Sequence, residues 1–175
     1  FSPDEFPQLV INSPRLWWPV NKGPQNLYEL VKVDNPYFQT TGGGICFGGG
    51  EPTMYADFIV EFRKICGHRW KITLETCLHC SDNVIKQLSE VVDHWIVDIK
   101  TMDPPAYEQY TGKTSGVLQQ LSLLQMNIPQ EKVTIKVPQI PGFTDGRDLD
   151  LDIKDIERRF NFTDIIKVRY RTNNR

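Results

Sequence analysis

Five short apolar runs, at residues 44–47, 70–74, 95–99, 133–137 and 165–170, alternate with stretches whose apolar residues recur at helical spacing. No other feature constrains the fold as much. Each helix must cover the sheet its strand has just left, so crossovers run right-handed and the strands lie parallel. After the first run, Met54, Phe58, Ile59, Phe62 and Ile65 share one helical face. After the second, Val84, Ile85, Leu88, Val91 and Val92 do so behind an N-cap at Ser81. A short helix around 104–110 and a longer one carrying Val117, Leu118, Leu121 and Leu124 follow the third, and Leu149, Ile153, Ile156 and Phe160 precede the last. The expected fold class is α/β, a partial parallel (β/α) barrel.

The first 25 residues read differently. They hold five prolines and the Trp17-Trp18 pair, and they lack helical periodicity, which predicts an irregular or β-type N-terminal extension of short extended segments joined by turns. The expected organisation is therefore an extended Pro/Trp-rich segment over 1–26 and a βα part over 27–175. A chain of 175 residues, 39% of them apolar, can bury one core of respectable size.

The 20 basic and 22 acidic residues are spread along the whole chain and leave a net charge of -2. No basic stripe recommends nucleic acid or an anionic membrane as partner. No apolar run approaches the roughly 18 residues of a membrane span, and the expected location is cytoplasmic. Four cysteines, Cys46, Cys66, Cys77 and Cys80, are too few and too unevenly spaced for a disulfide scaffold. Cys46 and Cys66 read as core fillers.

In parallel βα folds the loops after the strands share one face, and active sites gather there. The first such loop reads Gly48-Gly49-Gly50-Glu51-Pro52. Its glycines expose backbone N–H and C=O groups to a closely approaching ligand, and Glu51 adds a carboxylate, a combination suited to a cationic amino group. A glycine-rich turn with no ligand is the plainer alternative. The second strand ends in Glu75-Thr76-Cys77, the third in Asp98-Ile99-Lys100, and the fourth carries Lys136. By the period of two, Asp98 and Lys100 share a strand face and can contact the amino and carboxylate ends of one zwitterion, or can form a simple ion pair on the rim.

Gly43-Gly44-Ile45-Cys46-Phe47-Gly48-Gly49-Gly50-Glu51-Pro52, Asp98-Ile99-Lys100-Thr101-Met102-Asp103-Pro104, Tyr110-Thr111-Gly112 and Ile140-Pro141-Gly142-Phe143-Thr144-Asp145 occur in that order. From residue 26 to about 145 the chain thereby resembles the radical S-adenosylmethionine enzymes, and among them the pyruvate formate-lyase activating enzymes and similar glycyl-radical activases. The resemblance implies that Gly49, Gly50 and Glu51 hold the methionine amino group, and that Thr76, Asp98, Lys100 and Lys136 hold the remaining polar groups of S-adenosylmethionine. Glu75 stands where such enzymes often place an acidic residue. It further implies a [4Fe–4S] cluster, a 5′-deoxyadenosyl radical that takes hydrogen from a glycine of a glycyl-radical enzyme, and an electron donor such as flavodoxin or ferredoxin.

The chain departs from that pattern in one respect. The family's cluster ligands lie on a Cys-x3-Cys-x2-Cys loop ahead of the glycine-rich strand, and no cysteine of this chain precedes Cys46. Cys77-Leu78-His79-Cys80 is the only cysteine pair with metal-ligand spacing: half of a zinc or cluster site, a redox pair, or two unrelated thiols. His68, His79 and His94 form no ligand spacing together. No catalytic residue is assigned. Ser13-Pro14-Arg15-Leu16-Trp17-Trp18-Pro19 with Gln25-Asn26-Leu27-Tyr28-Glu29-Leu30 resembles a strand pair of the β-sandwich domain in glycoside hydrolase family 2, over about the first thirty residues. Three readings follow: an incomplete activase-like protein, a non-catalytic domain that binds S-adenosylmethionine or a partner, and a fragment with no activity.

Overall fold

The computed structural model describes residues 8–10, 15–17, 22–112, 116–140, 144 and 147–169. Two compact units divide it, Phe1–Trp95 and Ile96–Arg175. Both are built from parallel strands joined through helices, the expected α/β class with the βα repeats of a partial (β/α) barrel.

In the first unit, β1 (Gln8–Val10) and β2 (Arg15–Trp17) pair antiparallel, which gives the N-terminal extension its β character. β1 also lies antiparallel to β3 (Gly44–Gly48), and β3 runs parallel to β4 (Lys71–Thr76). Trp18 of the tryptophan pair falls outside the described residues. Helices α1 (Pro24–Val31), α2 (Asn35–Thr41), α3 (Ala56–Cys66) and α4 (Asp82–Ser89) complete the unit. Proline at the start of α1 and α2 costs no hydrogen bond, since the first helical N–H groups are unpaired anyway.

Gly44 has to be glycine: a Cβ there would lie 1.9 Å from the Lys71 carbonyl oxygen on the neighbouring strand. Trp70 organises the packing beside it. Its ring stacks on Tyr28 at 5.1 Å, meets Phe38 edge-on at 5.1 Å, and donates its indole N–H to Asn35 Oδ1 at 2.7 Å. α3 buries Ala56, Ile59, Phe62 and Cys66 as its inward stripe. Met54, expected on that stripe, is instead exposed, because a 3-10 turn over Pro52–Tyr55 precedes the helix and rotates it outward. Ser81 sits at the N-cap of α4 but makes no capping hydrogen bond through its side chain.

Buried Arg63 on α3 donates to the carbonyls of Val91, Gly67 and Trp70 at 2.9, 2.7 and 2.8 Å, and pairs with Asp93. Asp93 in turn accepts the Ile72 N–H at 2.7 Å. One guanidinium thus ties the end of α3 to β4 and to the residues ahead of β5 (His94–Asp98).

In the second unit the end of β5 lies beside β6 (Val133–Gln139), with the Ile99 N–H donating to the Lys136 carbonyl at 2.9 Å, and β6 runs parallel to β7 (Ile165–Arg169). Tyr170, expected to close that last strand, falls outside the described residues. Helices α5 (Pro104–Thr111), α6 (Val117–Asn127) and α7 (Arg147–Phe160) connect the strands. Val97, Val117, Leu121, Leu124, Ile135 and Ile156 belong to the buried core of this unit. Thr144 holds the chain after β6 by donating to the Pro138 carbonyl at 2.6 Å and accepting the Ile140 N–H at 2.9 Å. Among the described residues no helix is long and apolar enough to cross a membrane.

Candidate functional site

The loop after β3 puts Gly49 and Gly50 at the surface, and Gly49 adopts φ 108°, a conformation other residues avoid. Glu51 follows, half-buried, and its carboxylate is heavily engaged. Oε1 accepts the Thr53 N–H at 3.1 Å and the hydroxyls of Thr53 and Thr76 at 2.6 Å each. Oε2 accepts the Cys77 N–H at 3.0 Å and the Cys77 thiol at 2.9 Å. The side chain therefore straps the glycine loop to the end of β4, and what the loop presents to a ligand is backbone.

Thr76 is buried, and its hydroxyl also accepts the Leu78 N–H at 2.9 Å. Glu75, one residue earlier, alternates to the other side of the strand and is half-exposed. Sequence reasoning placed Glu51 and Thr76 on one rim without seeing that they touch, and it passed over Thr53. The signal was present: Glu51 precedes Pro52 at a helical start, where a carboxylate caps the N–H groups of the first turn.

The second unit carries its own cluster. Lys100 Nζ lies 2.9 Å and Lys136 Nζ 3.9 Å from Asp98 Oδ2. All three side chains are largely shielded, at 17% exposure for Asp98, 28% for Lys100 and 25% for Lys136. Asp98 Oδ1 is buried and has no hydrogen-bond partner among the described residues. A buried carboxylate oxygen is an acceptor that calls for a donor, and an amino or hydroxyl group of a bound molecule meets that need. The residues present accordingly suit a zwitterionic ligand such as S-adenosylmethionine.

They do not suit an iron–sulfur cluster. Among the described residues no group of three or more His, Cys, Asp or Glu side chains is placed to hold a metal ion. Cys66 is buried as expected, whereas Cys46, read as core, is only half-buried because it points away from the Ile45 and Phe47 side of β3. Cys77 and Cys80 are half-buried thiols set against Glu51 and Thr53.

The sequence model described as the Radical SAM superfamily matches residues 12–151. The choline trimethylamine-lyase activating enzyme of Oleidesulfovibrio alaskensis is 31% identical over 124 residues, 70% of this chain and 39% of that protein. The (2S)-3-sulfopropanediol sulfolyase activating enzyme of Bilophila wadsworthia is 32% identical over 138 residues, 77% of this chain and 46% of that protein. The chain thus spans less than half the length of either relative. A domain of the pyruvate-formate lyase-activating enzyme of Bacteroides vulgatus superposes with a TM-score of 0.47 at 22% identity, covering 58% of this chain and 63% of that one.

Proposed function

We propose, on the premise that this chain belongs to the radical S-adenosylmethionine superfamily, that it is the S-adenosylmethionine-binding part of a glycyl-radical enzyme activase. The observation that carries the reading is the buried Oδ1 of Asp98, without a hydrogen-bond partner among the described residues, beside Lys100 and Lys136. A cofactor amino or hydroxyl group supplies the missing donor, and the two ammonium groups offer cations to its carboxylate. In the first unit, taken by itself, the family resemblance assigns Gly49, Gly50 and Glu51 to the methionine amino group, through backbone carbonyls since the Glu51 carboxylate is already engaged. Thr76 belongs to the set as the residue that fixes Glu51.

Bound S-adenosylmethionine supplies an activated carbon–sulfur bond at its sulfonium. The protein's part is orientation and electrostatics. The partner in this reading is a glycyl-radical enzyme, the electron donor a flavodoxin or ferredoxin, and the compartment the cytoplasm. Residues 1–26 act as an appended segment and 27–175 as the cofactor-binding part. The names of the relatives support the partner class, as each is the activating enzyme of another enzyme.

A second reading, a non-catalytic domain that binds S-adenosylmethionine, is favoured by one observation: the described residues do not supply a cluster's ligand set. Calorimetric titration with S-adenosylmethionine tests what the two readings share. Binding that Asp98→Ala or Lys100→Ala weakens and Asp57→Ala leaves intact supports the site, and identical titrations for the three variants refute it. Anaerobic reconstitution with iron and sulfide then separates the readings. A reduced-cluster paramagnetic signal that shifts on adding S-adenosylmethionine favours the activase; cofactor binding without iron favours the non-catalytic domain.

A further inference from the structure

Cys77 and Cys80 are absorbed by neither the cofactor cradle nor any metal group, yet both are positioned by specific contacts. The Cys77 thiol donates to Glu51 Oε2 at 2.9 Å, and the Cys80 thiol hydrogen-bonds the side chain of Thr53, whose hydroxyl in turn donates to Glu51 Oε1 at 2.6 Å. Both sulfurs therefore converge on the neighbourhood of a single carboxylate. The intervening backbone is drawn in as well. Leu78 is fully buried at φ 58°, a left-handed conformation uncommon outside glycine, and the Cys80 N–H closes back onto the Leu78 carbonyl at 2.8 Å. Three residues of extended chain could separate the two α-carbons by about 10 Å. The γ-turn shortens that span toward the roughly 4.4–6.8 Å that a disulfide requires. Neither cysteine is sealed from solvent, as both are half-buried.

We propose that Cys77 and Cys80 form a peroxide-oxidisable dithiol, in which Cys77 is attacked first and Cys80 resolves it to an intramolecular disulfide. In the first step the Cys77 sulfur attacks one oxygen of hydrogen peroxide, Glu51 Oε2 receives the thiol proton, and the O–O bond breaks. Cys77 becomes a sulfenic acid, the attacked oxygen keeping its own hydrogen, and the departing hydroxide leaves as water on taking up the proton held by Glu51. In the second step the Cys80 sulfur attacks the sulfenic sulfur, the S–S bond forms, and the sulfenic hydroxyl leaves as water with the Cys80 proton. Two thiols lose two electrons in all, and one peroxide gains them.

The order follows from the surroundings. Cys77 has a carboxylate on hand to accept its proton. Cys80 does not lose its proton readily, because burial pushes its thiol up to about 11. Closing the disulfide also withdraws the Cys77 S–H from Glu51, so the state of the pair acts directly on the strap behind Gly49 and Gly50.

The test is to treat the folded, reduced chain with hydrogen peroxide under non-denaturing conditions, count thiols after denaturation, and map linked peptides by tandem mass spectrometry. The expected result is a fall from four thiols to two, with a single Cys77–Cys80 link and no intermolecular dimer. Four remaining thiols, or a link through Cys46, Cys66 or a second chain, overturn the proposal. The order of attack is read separately with dimedone, which traps sulfenic acid. Cys80→Ser is expected to give a dimedone adduct on Cys77, while Cys77→Ser gives none on Cys80 at the same peroxide dose. An adduct on Cys80 instead would overturn the assigned order, and the wild-type mapping stands whether or not either variant folds.

Discussion

Lys100 Nζ donates to Asp98 Oδ2 at 2.9 Å, while Oδ1 of the same carboxylate is buried without a hydrogen-bond partner among the described residues. One oxygen is satisfied within the fold and the other is left for something else. Charge-assisted hydrogen bonds are worth about 1.5–3 kcal/mol, which is a factor of ten or more in affinity. Asp98→Ala and Lys100→Ala should each weaken S-adenosylmethionine binding about tenfold or more. Asp57→Ala removes only an exposed contact with Gln87 Nε2 at 2.8 Å and should leave affinity within about twofold. Titration calorimetry on the three variants checks this, and comparable losses in all would show that the cluster is not the binding site.

Arg63 is buried at 5% exposure, and its guanidinium reaches three carbonyls and the Asp93 carboxylate. Lysine carries the charge but offers one ammonium where a planar fork of donors is needed. Arg63→Lys should therefore destabilise the first unit by about 2–4 kcal/mol, and Arg63→Met by at least as much, because it leaves buried acceptors and Asp93 unpaired. Urea unfolding followed by tryptophan fluorescence reports it through Trp70, whose carbonyl is one of the acceptors. An unchanged midpoint for Arg63→Lys would mean that the network is slack.

The same residue shows where sequence reasoning reached and where it stopped. Ile59, Phe62 and Cys66 mark the buried stripe of α3 by spacing alone, and Arg63 lies on that stripe. Nothing in the sequence signals that its partners arrive from residues 67, 70, 91 and 93. The apolar runs located β3, β4 and β6 well, because a strand's core side chains identify themselves by composition. Asp98 and Lys100 were legible as a pair because the period of two places them on one face. The state of Glu51 was not legible. A carboxylate after a glycine run suits a ligand and suits an N-cap equally, and only the fold brings Thr76 and Cys77 to it.

Gly44 is the position where one methyl group should do most damage. The added Cβ would meet the Lys71 carbonyl oxygen at 1.9 Å and its amide nitrogen at 2.5 Å, both backbone atoms of the adjacent strand. Neither can move without displacing the pairing of β3 with β4. Gly44→Ala should lower stability by about 2–4 kcal/mol. Gly23→Ala, whose nearest foreign atom is the Asn26 side chain at 4.0 Å, should cost less than about 1 kcal/mol. Equal unfolding midpoints for the two variants would contradict the close approach of the strands.

Cys80 gives stability a dependence on alkaline pH. Burial raises its thiol from the ordinary 9.0 to about 11, with the Thr53 hydrogen bond working in the opposite direction and the charges of Glu51 and Asp82 reinforcing the rise. Between those values the unfolded thiol has lost its proton while the folded one keeps it, so the folded state binds more protons there. Stability from this group is fully present below pH 9.0, declines as pH rises toward 11, and levels off above it. Because the side chain is only half-buried, solvent screening reduces the effect to about 1 kcal/mol. Cys80→Ser removes the titrating group and should flatten that portion of the profile. A smaller slope should remain from Cys66, whose thiol is also raised by burial. Urea unfolding of both proteins across this range, under reducing conditions, measures the difference, and parallel profiles would show that Cys80 ionises as freely in the folded chain as in the unfolded one.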